Sequence, residues 1–230
     1  MNYFDALILA IVEGVTEFLP ISSTGHLILA TKILGLASSE FVKSFEIFIQ
    51  LGAILAVVLI YMEIIWRDRA LLKKIIIAFL PTAVLGLTFY SVVKKYLLGS
   101  TLVTLLALLF GGIILIIFER WYQVRQAPKN NLASLTIKQS LLIGLAQSFA
   151  MIPGVSRAAA TIVGGLGLGL DRASAVKFSF LLAIPTMLAA TALDLVKSNL
   201  YFSSQEYYLF AIGFLGAFIT AFFTVKYFLK

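Results

Sequence analysis

The stretch EGVTEFLPISSTGH near the start of the chain concentrates side chains that could do chemistry. On a helix, Glu13 and Glu17 lie one turn apart and share a face. The only histidine, His26, can reach the hydroxyl of Ser22 or Ser23 if the chain is helical from Ser22 onward. These residues predict a nucleophile beside a base, together with two carboxylates that can hold a divalent cation or handle protons.

A second polar stretch, PGVSRAAAT, supplies Ser156 and Arg157. A guanidinium can bind a phosphate through two hydrogen bonds. In the first stretch, Pro20 favours a break just before a new helix, and the backbone N–H groups at a helix N-terminus favour an anion. The two stretches together predict a binding site for an anionic phosphate group. Gln50, in the middle of the apolar stretch FIQLGAI, either contacts that site or hydrogen-bonds another helix.

The background of these polar residues is strongly apolar. Hydrophobic residues make up 61% of the 230 positions and charged residues 13%, which is too apolar for a soluble domain and predicts a membrane protein. The sequence has no cysteine, so it offers no disulfide and no thiolate metal site. Its net charge of +7 comes from cations at the ends of apolar segments, which is typical of membrane topology rather than of nucleic-acid binding.

Five stretches are long and apolar enough to cross a bilayer, which takes about 20 residues. They cover residues 41–62, 75–93, 101–118, 174–196 and 207–228. Two further apolar segments, 3–34 and 137–170, are interrupted in the middle by proline and polar residues. Each is predicted to form two half-length helices in a re-entrant hairpin, because non-helical backbone inside a membrane must be buried in protein or face water.

Basic residues predict the orientation of these spans, since cytoplasmic loops carry an excess of lysine and arginine. The residues assigned to the cytoplasmic side are Arg67, Arg69, Lys73, Lys74, Arg120, Arg125, Lys129, Lys138, Arg172, Lys177, Lys226 and Lys230. The lysines left on the outer side are Lys32, Lys43, Lys94, Lys95 and Lys197. With five crossings, this assignment predicts an N-terminus outside and a C-terminus inside.

The chain also contains an internal repeat, in which residues 7–25 align with residues 140–158. The alignment pairs Pro20 with Pro153 and Ser23 with Ser156, and a span that begins at a lysine follows each copy. The first copy starts outside and the second inside, so the halves have opposite topology, an arrangement typical of transporter folds. We therefore predict an all-α polytopic membrane protein with one domain over 1–230 and inverted repeats over 1–118 and 137–230. The span 101–118 has no partner in the second half.

Both polar stretches, with FEIFIQLGAILAV and KFSFLLAIP, closely resemble the undecaprenyl pyrophosphate phosphatase family, also called the bacitracin-resistance family, over nearly the whole chain. The resemblance implies an integral membrane enzyme of the bacterial inner membrane. Such an enzyme removes the terminal phosphate from undecaprenyl pyrophosphate and regenerates the lipid carrier for cell-wall precursors. It also implies inverted repeats with re-entrant helix pairs, and relative to the family the last helix is expected to be absent. The expected partners are the polyprenyl pyrophosphate substrate, membrane lipids and a second copy in a homodimer, with the site opening to the periplasmic side.

The resemblance also implies a role for each matching residue. The expected catalytic residues are Ser23, His26, Glu13, Glu17 and Arg157. Ser23 is expected to be the nucleophile and His26 to take its proton or to protonate the leaving phosphate. The alternative is that His26 activates water directly while Ser23 only binds phosphate. The expected substrate-binding residues are Ser22, Thr24, Ser156 and Thr161, with Gln50 added for its position within a span. Glu13 and Glu17 are also expected to bind a divalent cation, Mg²⁺ or Ca²⁺. The family usually reads SRSGAT in the second stretch, where this sequence has Ala158 and Ala159, so no hydroxyl contact is expected from position 158.

Two other classes of protein match parts of the pattern. The phosphatidic-acid phosphatase superfamily has similar SGH and SR-x₅-H motifs, but it requires a second histidine, which this sequence lacks. A transporter or lipid flippase with the same inverted repeats could use Glu13 and Glu17 as a proton relay. The combination of hydroxyl, histidine and arginine favours the enzyme, because a carrier of a neutral solute does not need it. Phosphate release from a polyprenyl pyrophosphate would separate the enzyme from the carrier.

Overall fold

The computed structural model describes residues 1–37, 39–92, 97, 100–124, 130–197 and 202–228. Within these ranges the chain is helical apart from short connections and has no β-strand, only an isolated bridge between Asn130 and Leu170. The predicted all-α class is therefore confirmed. The helices are α1 (Tyr3–Thr16), α2 (Ser23–Ile33), α3 (Glu40–Ile60), α4 (Met62–Arg67), α5 (Arg69–Val92), α6 (Thr101–Val124), α7 (Ile137–Ser148), α8 (Arg157–Gly167), α9 (Arg172–Lys197) and α10 (Ser204–Phe228). Of the predicted features, residue 93 and the cations Lys94, Lys95, Arg125, Lys129 and Lys230 lie outside the described residues.

Five of these helices, α3, α5, α6, α9 and α10, are long and apolar enough to cross a membrane, which confirms the five predicted spans. The largest differences from the predicted bounds are in α5, which begins at Arg69 rather than at 75, and in α6, which ends at Val124 rather than at 118. The added turns carry basic and aromatic residues, whose long side chains can reach the membrane surface while their backbone stays helical. The chain is therefore an integral membrane protein.

Each interrupted segment forms two short helices, as predicted, with α1 and α2 in the first and α7 and α8 in the second. Polar side chains begin the second helix of each pair. The Ser22 hydroxyl accepts a hydrogen bond from the Gly25 N–H at 3.4 Å, and the Ser156 hydroxyl accepts one from the Ala159 N–H at 3.1 Å. These caps satisfy backbone donors that have no partner within the helix, which allows helices to start inside an apolar protein.

The two halves of the chain are intertwined. Helix α10 packs against α1 and α3 of the first half, whereas α5 packs against α7 and α9 of the second half, and α3 and α9 meet between them. Glycines permit two of these contacts. A Cβ atom on Gly52 would collide with the carbonyl oxygen of Phe214, and one on Gly144 would collide with that of Ala78. Small residues of this kind let helices approach closely in a membrane.

Helix α6 is the least buried of the long helices, yet it touches both interruptions. The Leu108 side chain lies where a Cβ atom on Gly25, in the first turn of α2, would come within 2.8 Å of it. Gly154, just before α8, has a φ of +94°, and a Cβ atom there would lie 2.5 Å from the Thr104 carbonyl oxygen. The starts of α2 and α8 therefore lie against one helix, which brings the two polar stretches together.

Candidate active site

Glu17 is the residue at which the two polar stretches meet. It lies just after α1, and its Oε1 accepts a hydrogen bond from Arg157 Nη2, on the first residue of α8, at 2.7 Å. Its other oxygen, Oε2, accepts a hydrogen bond from the hydroxyl of Ser23, the first residue of α2. The side chains of Glu17 and Arg157 are only 6% and 12% exposed, so this ion pair is almost fully desolvated. One carboxylate thus links the predicted nucleophile to the predicted phosphate ligand.

Residues of α9 and of the turn after α1 hold the Arg157 guanidinium. Nη1 donates to the Ser179 carbonyl oxygen of α9 at 3.0 Å, and Nη2 also lies 3.8 Å from the Met187 sulfur of the same helix. The Phe18 ring, next to Glu17, lies 6.0 Å from the guanidinium carbon. Nε is buried and has no hydrogen-bond partner among the described residues. The guanidinium is therefore oriented by protein groups and keeps unused donor capacity.

Ser22 has a strained backbone, with a φ of +65°, the only positive value among the described residues other than glycine. Such a conformation costs about 1–3 kcal/mol in a non-glycine residue and is concentrated at functional sites. The carbonyl oxygen of Ser22 accepts hydrogen bonds from the N–H and the ring Nδ1 of His26, at 3.2 and 2.8 Å. These bonds hold the strained residue in place at the start of α2, where Ser23 faces Glu17.

The structure differs from the sequence analysis in the partner of the serine. The spacing allows His26 to reach either Ser22 or Ser23, and His26 was predicted to take the proton of Ser23 or to protonate the leaving phosphate. In the structure the His26 ring bonds the backbone of Ser22, and the Ser23 hydroxyl bonds Glu17 instead. The reason is the start of α2 at Ser23, which turns the i to i+4 bond of His26 onto the Ser22 carbonyl oxygen.

Glu13 lies one helical turn before Glu17 and is fully buried. Neither of its carboxylate oxygens has a hydrogen-bond partner among the described residues. Glu17, Glu46 and Arg157 are close enough to interact with it electrostatically. Glu46, half-buried on α3, was not among the predicted site residues, although a carboxylate within an apolar span was a signal for it. Within the described ranges there is no group of three or more acidic, histidine or cysteine side chains arranged to hold a metal.

A cavity of about 810 Å³ opens beside these residues. Its polar end is lined by predicted site residues from both interruptions and from α3, namely Glu17, Ser22, Ser23, Thr24, Gln50, Ser156 and Arg157. Its apolar end lies between α5 and α9 and is lined mainly by small or aliphatic side chains, among them Ala83, Gly86, Leu87, Ala189, Ala190 and Leu193. The cavity can therefore hold a molecule with a polar head and a long apolar chain.

Three predicted site residues, Glu13, His26 and Thr161, are not among those that line the cavity. Thr161 lies one turn along α8, is 1% exposed and hydrogen-bonds the Ser179 hydroxyl at 2.6 Å. Conversely, the cavity wall includes residues that the sequence analysis did not predict. Gln147 of α7 donates to the hydroxyls of Thr82 and Thr186 at 2.9 and 3.0 Å, which joins three helices around the cavity. A glutamine inside an apolar segment was the available signal for this network.

The chain is thus an integral membrane protein with a buried serine, carboxylate and arginine beside a cavity. These are groups that could bind a phosphate and react with it. The model of the family described as bacitracin resistance protein BacA matches residues 6–230, and the chain belongs to this family.

Named relatives extend over the whole chain. It is 51% identical to an undecaprenyl-diphosphatase of Aquifex aeolicus over 230 residues, which is 100% of this chain and 90% of that protein. Its identity to an undecaprenyl-diphosphatase of a Sulfurihydrogenibium species is 46%, with the same two coverages. Its identity to one of Wolinella succinogenes is also 46%, over 100% of this chain and 89% of that protein. The family resemblance inferred from the polar stretches is thereby confirmed.

Proposed function

We propose that this protein is an undecaprenyl-diphosphatase, which hydrolyses undecaprenyl diphosphate to undecaprenyl phosphate and inorganic phosphate. The relatives that carry this name are similar over the entire chain. The observation that carries the proposal is the linkage of Ser23 and Arg157 through Glu17 at the polar end of the cavity. A serine with an adjacent base and an arginine is the set that transfer of a phosphoryl group requires.

In the proposed mechanism, Ser23 Oγ attacks the terminal phosphorus, and the bond from that phosphorus to the bridging oxygen breaks. Glu17 accepts the serine proton, because its carboxylate is the group hydrogen-bonded to Ser23. Arg157, which is hydrogen-bonded to Glu17, also binds the phosphate oxygens and stabilises the charge on them. Water then attacks the phosphoserine, releases phosphate and restores the hydroxyl. His26 keeps Ser22 in its strained conformation, a role that differs from the predicted one.

A divalent cation, Mg²⁺ or Ca²⁺, is part of the proposal. The donor set is suitable, because Glu13 has two buried oxygens without partners among the described residues and the oxygens of Glu17 retain free lone pairs. An unpaired carboxylate in a membrane interior is costly, and a cation would offset that cost. When bound, the cation would neutralise charge on the diphosphate oxygens. Glu13 and Glu17 would hold it, and the substrate would complete its ligands.

The apolar end of the cavity supports a lipid substrate. We propose that the prenyl chain lies in the apolar end of the cavity between α5 and α9, where alanines and Gly86 leave space, and we call this part the groove. The diphosphate occupies the polar end. Lys197, at the end of α9 beyond this groove, was assigned to the outer side. The enzyme therefore resides in the bacterial inner membrane with its site open to the periplasmic side. We also propose that the two halves are inverted repeats, with α1–α2 and α7–α8 as re-entrant pairs. The packing supports this, because α10 of the second half packs against α1 and α5 of the first half packs against α7. The homodimer stays a prediction.

Phosphate release from undecaprenyl diphosphate by the purified protein in proteoliposomes tests the proposal. We expect steady release by the parent protein and none above background by Ser23→Ala. The rival function, a lipid flippase, predicts movement of a labelled lipid between leaflets without phosphate release. Translocation by the parent protein, with no phosphate formed under any divalent cation, would exclude the phosphatase.

A further inference from the structure

Thr161 does not have the environment of a substrate ligand. Its side chain is 1% exposed and lies outside the cavity lining. Its hydroxyl oxygen lies 2.6 Å from the Ser179 hydroxyl and 3.0 Å from the Arg157 carbonyl oxygen. A hydroxyl can donate one hydrogen bond and also accept, so Thr161 can donate to the Arg157 carbonyl oxygen while it accepts a hydrogen bond from the Ser179 hydroxyl. The hydroxyl of Thr161 is therefore used inside the protein.

The same contacts form a closed ring around Arg157. The Arg157 carbonyl oxygen bonds Thr161, the Thr161 hydroxyl bonds the Ser179 hydroxyl, and the Ser179 carbonyl oxygen accepts from Arg157 Nη1 at 3.0 Å. Ser179 is fully buried on α9, so no water competes for these bonds. The ring fixes the backbone and the tip of the arginine to the same residue of a neighbouring helix.

An aromatic ring and a carboxylate also contact the guanidinium. Phe18 lies 6.0 Å from its central carbon, and the Phe18 ring meets the Phe180 ring edge to face at 5.1 Å. Phe180 is fully buried and adjoins Ser179, so one turn of α9 holds both the guanidinium and the ring beside it. Glu17 accepts a hydrogen bond from the other terminal nitrogen, Nη2, at 2.7 Å. A displacement of α9 at Ser179 would therefore rotate the fork of Arg157.

We propose that Thr161 and Ser179 are positioning residues that orient Arg157 toward the terminal phosphate. The inference rests on the proposed phosphatase function, because it assigns Arg157 to the phosphate. A planar guanidinium binds two phosphate oxygens only in one orientation, and small misplacements of a binding group lower the rate of the chemical step. Neither hydroxyl touches the substrate in this arrangement.

A double-mutant cycle on undecaprenyl diphosphate hydrolysis tests this coupling. We expect Thr161→Val and Ser179→Ala each to lower kcat by about three- to tenfold, the effect of one lost hydrogen bond. The double variant should fall less than about twofold below the weaker single variant, because both changes open the same ring. If the two losses multiply, or if Ser179→Ala stays within twofold of the parent while Thr161→Val does not, Thr161 acts independently of Ser179 and the proposal is wrong.

A positioning role differs from a general loss of stability in its dependence on Arg157. In an Arg157→Lys background, which lacks the fork, Thr161→Val should change the residual rate by less than about twofold. An equal loss in both backgrounds would mean that Thr161 only stabilises the fold. Thr161→Ser keeps the hydroxyl and should retain at least half of the parent kcat. If Thr161→Val does not fold, Ser179→Ala decides, because a direct contact between Thr161 and substrate predicts no loss from it.

Thr191→Val is the matched control. Thr191 is a buried threonine on α9, and its hydroxyl has no hydrogen-bond partner among the described residues, so its removal should leave kcat unchanged. Two other variants distinguish a failure of this inference from a failure of the proposed function. If Ser23→Ala and Arg157→Lys are as active as the parent, the proposed site is wrong. If both are impaired but the cycle shows no coupling, only the positioning role fails.

Discussion

At the scale of single residues, Glu17 is the central residue of the proposed mechanism. Its two oxygens are bonded to Ser23 and to Arg157, so it connects a potential nucleophile with a potential phosphate ligand. In the proposed mechanism, a phosphate bound by Arg157 would share the guanidinium with Glu17, the residue that takes the proton of Ser23. Substrate binding and activation of the serine are therefore coupled through one side chain.

The Ser23→Ala variant tests whether the serine forms a covalent intermediate. A covalent route predicts almost complete loss of activity, because no other hydroxyl bonds Glu17 in the described structure. If water attacked the phosphorus directly, the loss would be about tenfold, the equivalent of ~1.4 kcal/mol for one hydrogen bond. Phosphate release by purified protein is the measurement. Ser44→Ala, a buried serine of α3 outside the cavity lining, is the control and should match the parent. Turnover at a tenth of the parent rate or more would contradict the phosphoserine.

Glu13 carries the prediction about the cation. Excess chelator should abolish phosphate release, and Mg²⁺ or Ca²⁺ should restore it and raise the temperature of thermal unfolding. Glu13→Gln removes a charge that attracts the cation. The Mg²⁺ or Ca²⁺ concentration that gives half-maximal activity should therefore rise at least about tenfold. Glu63→Gln changes an exposed carboxylate of α4 that pairs with Arg67 and serves as the matched control. Full activity of the parent protein in chelator would exclude a metal role.

The residues that sequence analysis could and could not find differ in a physical respect. Ser23, Glu17 and Arg157 were found because a membrane segment tolerates such side chains only where they are needed. Ser179 was not found, because the atom that bonds Arg157 is a backbone carbonyl oxygen, which every residue has. The hydrogen bond from His26 to the Ser22 carbonyl oxygen could not be predicted either, because it depends on the φ of Ser22 and on the residue at which α2 begins.

At the scale of helices, the sequence predicted where elements break but not how they pair. Proline and polar residues marked both interruptions, and apolar length marked the five spans, because these are local properties. The packing of α5 against α7 and of α10 against α1 joins residues far apart in the chain, and local patterns do not encode it. The apolar wall of the cavity between α5 and α9 could not be predicted from the sequence either. Its alanines do not differ in type from residues that face lipid.

Gly86 of α5 provides a test of the groove between α5 and α9. A Cβ atom at this position would meet only the Met151 sulfur, at 3.9 Å, so a larger side chain can enter the cavity without moving the backbone. Gly86→Phe should raise the KM for undecaprenyl diphosphate by about tenfold, because the loss of about two buried methylene contacts is enough for that factor. The KM for farnesyl diphosphate, whose chain is much shorter, should change less than about twofold.

Gly111→Phe is the control for this change, because a Cβ atom at Gly111 meets nothing within 4 Å on the mostly exposed α6. It should leave the KM values for both substrates unchanged. If Gly86→Phe impairs both substrates equally, the phenylalanine disturbs the polar end instead of the groove. If it impairs neither, the prenyl chain does not lie between α5 and α9.

At the scale of the whole molecule, the two halves of the chain contribute different residues to the candidate site. In the sequence alignment of residues 7–25 with 140–158, Glu13 and Glu17 align with Ala146 and Ala150, which carry no carboxylate. The first half therefore supplies the carboxylates and the serine, and the second half supplies the arginine. Neither half can form the site alone, because the ion pair joins Glu17 of the first half to Arg157 of the second.

The topology of the molecule can be tested with single cysteines, because the sequence contains none. Re-entrant pairs require both ends of α1–α2 to lie outside and both ends of α7–α8 to lie inside. A membrane-impermeant maleimide added to intact spheroplasts should therefore label Tyr3→Cys and Lys32→Cys. It should label Lys138→Cys and Ala173→Cys only after permeabilisation. All of these positions are exposed in the structure, so a failure to react reports the side of the membrane rather than burial. Each variant must retain phosphate release to count. Labelling of Tyr3→Cys and Lys32→Cys from opposite sides would mean that α1 and α2 together cross the membrane, and the inverted arrangement would then be wrong.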